Sequence, residues 1–234
     1  MKKLWVFGDS FSTGHCEPYI SWKGYIPKLY FTLIAEEMNL EIKNYAIGGC
    51  SNRTILSQFI NVIDEISEND IIIFNWTAIN RHRIISNKKL KDIVPFETTK
   101  KDINTFISIN SIVEYSTNRI DSFAFYSELN EYIKLIKCSK SNNLIINWTW
   151  CYFDNPKYEL IEFINNMDFY GLLETIIHET NNEIQDWHYA EAADRLLADI
   201  FKEIINNPKE RKKYRINTHS SVGITTINKN KTLL

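Results

Sequence analysis

The chain has 234 residues, is 44% apolar and 24% charged, and carries a formal net charge of −2. Its length and apolar content suit one globular domain with a full core and exclude global disorder. The near-balanced charge excludes a general electrostatic attraction to nucleic acid or to an anionic membrane surface.

Met1-Lys2-Lys3 makes a basic start, but the apolar run Leu4-Trp5-Val6-Phe7 is broken at once by Gly8 and Asp9. That run is too short for a signal peptide, and no stretch is long enough to cross a bilayer, so a cytoplasmic location is expected. The cysteines, Cys16, Cys50, Cys138 and Cys151, show no C-x-x-C spacing. They read as reduced thiols rather than a zinc or redox motif.

In chain order, Leu4 to Phe7 reads as a short buried strand that runs into Gly8-Asp9-Ser10-Phe11-Ser12. Pro27 opens a helix whose apolar face is Ile26, Leu29, Tyr30, Leu33, Ile34 and Met38. Ile42 to Ile47 is a second strand, closed by Gly48-Gly49. Ser51 or Asn52 caps a helix with Ile55, Phe59, Val62, Ile63 and Ile66 on one face. Ile71-Ile72-Ile73-Phe74 is apolar on both faces, which places it in the middle of a parallel sheet covered on both sides. Residues 84–116 break the rhythm and read as an insertion over the site. Helical spacing returns with Ile120, Phe123, Leu129, Tyr132, Ile133 and Ile136, followed by the strand Leu144 to Trp148. Another helical stretch begins near Pro156. The last clear helix holds Ala193, Leu196, Leu197, Ile200, Phe201 and Ile204. Residues 208–234 read as a polar C-terminal tail outside a single domain of residues 1–207.

Alternating strands and helices predict an α/β domain of three layers with a parallel sheet. Sites in such sheets lie at the carboxyl ends of the strands. Three of those ends are polar: Gly8-Asp9-Ser10, Gly48-Gly49-Cys50-Ser51-Asn52 and Asn75-Trp76-Thr77. By itself Ser10 fits a tight turn as well as a nucleophile. A serine hydroxyl needs a neighbouring base, and the base needs an orienting partner. Of the five histidines, His15, His82, His178 and His219 lack such a setting. His188 lies in Gln185-Asp186-Trp187-His188, just before the last helix, where Asp186 can fix its tautomer.

These residues resemble a known family. Gly-Asp-Ser-Phe-Ser after the first strand is similar to the first block of the GDSL, or SGNH, hydrolases. Asn44-Tyr45-Ala46-Ile47-Gly48-Gly49 resembles the second block, and Asp186-Trp187-His188 before a helix resembles the last. The resemblance implies a flavodoxin-like α/β/α fold and a serine esterase or acyl hydrolase acting through an acyl-enzyme. It implies Ser10 as nucleophile, His188 as base, Asp186 as its orienting acid, and the N–H groups of Ser10 and Gly49 as oxyanion donors. Asp9 then holds the turn.

Two features depart from the family pattern. The third block, Gly-x-Asn-Asp in the family, falls near Trp76 to Ile79, which holds no Asn. Asn80, Asn75 and Thr77 are the candidate replacements, with Asn80 slightly ahead. The acid stands two residues before the histidine, where the family has three. Arg81 and Arg83 fit either contacts to an anionic or sugar-like substrate group or a solvated basic turn. Trp76, Trp148 and Trp150 fit buried packing better than a cleft wall. No metal-spaced cluster or phosphate loop occurs, and the reaction needs no cofactor. The expected partner is a small-molecule or carbohydrate ester. The alternatives are a binding protein on the same fold with impaired chemistry, and an acyltransferase using the same serine.

Overall fold

The computed structural model describes residues 1–14, 17–77, 82–86, 89–93, 122–150, 162–163, 165–170, 191–210, 213–215 and 225–227. In chain order the elements are β1 (Lys3–Phe7), a 3-10 turn (Ser10–Ser12), α1 (Glu17–Lys23), α2 (Tyr30–Met38), β2 (Glu41–Asn44) and α3 (Asn52–Val62). They continue with β3 (Ile71–Trp76), β4 (His82–Ser86), β5 (Lys89–Ile93), α4 (Ser122–Ser139), β6 (Leu144–Thr149), β7 (Phe169–Tyr170), α5 (Glu191–Asn206), β8 (Lys213–Arg215) and β9 (Thr225–Ile227).

One sheet has the order β2-β1-β3-β6-β7-β8-β9, parallel except for the last pair. β3 lies between β1 and β6, with Ile71 opposite both Leu4 and Leu144. All six of its residues are buried, as its two-sided apolar pattern requires. Alternate side chains feed two cores. Leu4, Val6, Ile71 and Ile73 pack with Ile34 of α2 and Leu197 and Phe201 of α5. Trp5, Phe7, Ile72 and Phe74 pack with Phe59 of α3 and Leu129 and Ile133 of α4. The result is the expected three-layer α/β/α arrangement.

Buried polar groups tie the layers in register. Asp70, just before β3, accepts from the Lys3 backbone N–H (2.9 Å), the Trp5 indole (2.9 Å) and the Ser67 N–H (3.0 Å). This fixes the start of β1 against the start of β3. Ser51 caps α3, as expected, by accepting from the Thr54 N–H.

Several boundaries differ from the sequence reading. α2 begins at Tyr30, not at Pro27, because Leu29 is extended and the Tyr30 N–H is taken by Asp194 Oδ1 of α5 at 3.0 Å. α1 was not anticipated, although Glu17-Pro18 is a helix-start pattern. β2 stops at Asn44, whose side-chain oxygen turns back to accept from the Ala46 N–H at 3.0 Å. Within the expected insertion, β4 and β5 form an antiparallel hairpin, with Ile85 opposite Leu90. Residues 94–116 and the helical stretch near Pro156 lie outside the described residues. The polar tail is not separate from the sheet. Lys213–Arg215 pairs with β7, and Thr225–Ile227 pairs with β8 in turn. Among the described residues, no helix is long and apolar enough to cross a membrane.

Candidate active site

The carboxyl ends of β1, β2 and β3 converge on one turn. β1 ends at Phe7, and Ser10 opens the 3-10 turn. Asp9 caps this turn by accepting from the Phe11 N–H at 3.1 Å, while its carbonyl accepts from the Ser12 N–H at 3.0 Å. Ser10 is partly exposed, between the buried Asp9 and Phe11. Its carbonyl accepts from both the N–H and the hydroxyl of Thr13. The backbone of Ser10 is therefore fixed while its side chain stays reachable.

Gly8 permits this packing. A Cβ placed there would lie 2.6 Å from the Asn75 Cβ and 3.1 Å from the Ser12 Oγ. β3 can press its Asn75 side chain onto the end of β1 only because nothing projects from residue 8.

The second turn runs alongside. The Tyr45 N–H donates to the Val6 carbonyl at 2.8 Å, and the Ile47 N–H to the Gly8 carbonyl at 2.9 Å. Asn44 Nδ2 donates to the Ser12 carbonyl at 2.8 Å, and the Cys50 thiol to the Gly8 carbonyl at 3.4 Å. Gly48 and Gly49 are exposed, and Gly49 holds φ +71°, a conformation that favours glycine. A Cβ on Gly48 would sit 3.9 Å from the Ser10 Cβ. The glycine turn and the serine thus face one another.

At the third end, Asn75 is fully buried. Its Nδ2 donates to Asp9 Oδ1 at 2.8 Å and to Ser12 Oγ at 3.2 Å. The nitrogen is committed inside the protein rather than toward solvent. Thr77 is held through its backbone, accepting from Asn52 Nδ2 and donating to Asn52 Oδ1, both at 2.9 Å. Among the described residues, the buried Thr77 hydroxyl and Asn75 side-chain carbonyl oxygen have no hydrogen-bond partner.

A polar network missed in the sequence links the turn to its surroundings. Trp150, just after β6, donates its indole N–H to Asp9 Oδ2 at 2.8 Å. Ser12 Oγ pairs with the Tyr30 hydroxyl at 2.9 Å. Burial pushes the Tyr30 hydroxyl well above the ordinary phenol range, so it stays protonated. Tyr30 also ties into α5 through Asp194, and the Glu191 N–H donates to the Tyr19 hydroxyl at 2.9 Å. The start of α5 is thereby fixed to α1 and α2. Trp76 and Trp148 are fully buried core residues, while Trp150 is only partly buried.

Gly48 thus lies beside Ser10, and Asn75 reaches the Ser10 turn through Asp9 and Ser12, while Thr77 is tied to Asn52 at the start of α3. Asn80, Arg81, Asp186 and His188 lie outside the described residues. Asp186 and His188 precede Glu191 by five and three residues in the sequence. Among the described residues, no group of His, Cys, Asp and Glu side chains could hold a metal ion.

No family model and no curated protein matches this sequence. Solved structures do. The psychrotrophic esterase EstA from Pseudoalteromonas sp. aligns over 89% of this chain and 99% of its own, with 10% identity and a TM-score of 0.51. A putative lipolytic protein of the G-D-S-L family from Desulfitobacterium hafniense covers 87% and 99%, with 11% identity and a TM-score of 0.45. The lipase/acylhydrolase from Enterococcus faecalis covers 88% and 97%, with 16% identity and a TM-score of 0.43. The chain shares its α/β fold with the EstA esterase.

Proposed function

We propose that this protein is a serine esterase that cleaves a small-molecule or carbohydrate ester through an acyl-enzyme on Ser10. One observation supports this above the others. The partly exposed Ser10, on a turn fixed on both sides, faces an exposed Gly48-Gly49 turn at the carboxyl ends of parallel strands. A fold shared with an esterase agrees with it but does not identify the chemistry.

In this reading the Ser10 hydroxyl adds to the ester carbonyl carbon as its proton passes to His188, which Asp186 orients. The N–H groups of Ser10 and Gly49 receive the oxyanion. The alcohol leaves with the proton from His188. Water, deprotonated by His188, then adds to the acyl-enzyme, releasing the carboxylic acid and restoring Ser10. No step requires a metal or cofactor. Because the Asn75 nitrogen is already bonded to Asp9 and Ser12, Thr77 and Asn80 are better candidates for a third oxyanion donor. Loss of one such donor lowers turnover by about 10²- to 10³-fold. Arg81 would contact an anionic or sugar-like part of the substrate.

The test is hydrolysis of p-nitrophenyl acetate and butyrate by the protein and by Ser10→Ala. Activity confined to the wild type is expected, and equal rates from both would refute the reading. The committed Asn75 nitrogen also favours a rival, a binding protein on this fold without turnover. A fluorophosphonate adduct on Ser10 excludes that rival.

A further inference from the structure

We propose that Trp150 is a positioning residue for Ser10, gripping both of its chain neighbours. The proposal depends on the serine-esterase reading. Trp150 touches the Ser10 turn through contacts of two different kinds. Its indole N–H donates to Asp9 Oδ2 at 2.8 Å, and its ring stacks on Phe11 with centroids 5.1 Å apart and planes 22° apart. Asp9 and Phe11 are the residues on either side of Ser10, so one side chain restrains the turn before and after the nucleophile.

The topology explains why an indole stands at this position. Trp150 follows β6, and the Ser10 turn follows β1, with β3 between them. Two strand spacings amount to about 10 Å. A long planar side chain with a donor at its edge can reach over β3 to the Asp9 carboxylate while its face lies on Phe11. The opposite oxygen, Oδ1, accepts from Asn75 Nδ2 of β3 and from the Phe11 N–H. Asp9 is thus held from β3, from the segment after β6 and from its own turn. This third hold distinguishes Trp150 from Trp76 and Trp148, which are fully buried in the two cores.

Positioning of this kind acts on chemistry more than on substrate affinity. An error of about 1 Å at a reacting atom can cost about 100-fold in rate. Trp150→Phe keeps a ring for the Phe11 stack and removes the N–H. The expected result, per active site titrated by the acyl burst, is a roughly 10- to 100-fold fall in kcat for p-nitrophenyl acetate with KM little changed. The rate of fluorophosphonate capture on Ser10 should fall in parallel. A purely structural role would lower the melting temperature and the fraction of active sites, but not the rate per site. Wild-type rates per site in folded Trp150→Phe overturn the proposal. If that variant does not fold, Phe11→Leu leaves the indole hydrogen bond and breaks only the stack, and it is read by the same two rates. Unchanged rates there overturn the double grip. Failure of the wild type itself to label at Ser10 overturns the serine reading, and this proposal with it.

Discussion

Gly8→Ala isolates how tightly β3 is pressed against the nucleophile turn. The added methyl would meet the Asn75 Cβ at 2.6 Å and the Asn75 Cγ at 3.3 Å, both on a fully buried side chain of the central strand β3. Neither neighbour is the loose end of a flexible chain. Overpacking of this kind costs about 1–3 kcal/mol. If Asn75 yields instead, it loses a 2.8 Å hydrogen bond to the Asp9 carboxylate, a bond of a type that contributes about 1.5–3 kcal/mol. Either route gives a loss of about 1–3 kcal/mol. For a domain of this size each kcal/mol moves the midpoint by about 2–4 °C, so a fall of roughly 2–12 °C is expected by circular dichroism. Gly49→Ala is the contrasting control. A Cβ there meets nothing within 4 Å, so only its φ of +71° is strained, at about 1–2 kcal/mol. A Gly8→Ala midpoint at or above that of Gly49→Ala would refute the close packing of Asn75 on residue 8.

Burial holds the Asp194 carboxyl well above the usual carboxylate range, with Glu191 adding to the rise and the Tyr30 N–H opposing it. In the unfolded chain this group ionises near about pH 4, so above that pH the folded state keeps a proton the unfolded state has lost. Stability from this group is full below that pH and falls as pH rises toward the folded value. Asp194→Asn, which retains an acceptor for the Tyr30 N–H, should gain on the wild type in melting temperature between about pH 4 and pH 7, and a pH-independent gap would refute the assignment. Ser51→Ala removes the cap of α3 and should cost about 1 kcal/mol in urea denaturation, with no change beyond error counting against the cap.

The sheet was legible because its central strands are apolar on both faces and its turns carry glycine and small polar residues. Ile71 to Phe74 could only be a covered strand, and Gly8 marked the end of β1, whereas Gly48-Gly49 stands four residues beyond the end of β2 at Asn44. What stayed hidden was long-range. The start of α2 is set by Asp194, 164 residues later, so local spacing around Pro27 misplaced it. The strands in the polar tail are three residues each, too short to show a period, and they pair only because an edge is offered. Asn75 illustrates a subtler limit. Sequence places an amide at a strand end, but it cannot show that the nitrogen is already used by Asp9. Trp150 presented an aromatic residue beyond a strand, and its partner stands 141 positions away.

The position of β1 has a consequence for synthesis of the chain. Leu4 to Phe7 emerge before β3, their partner some 67 residues on, and the indole that grips the second oxygen of the carboxylate beside Ser10 arrives only with residue 150. A nascent chain arrested before β6 therefore carries its serine turn without the indole contacts to Asp9 and Phe11. Such contacts between distant positions slow folding. In the serine-esterase reading, activity should switch on late in translation, only after β6 has docked and His188 has followed it, rather than with the appearance of the first strand.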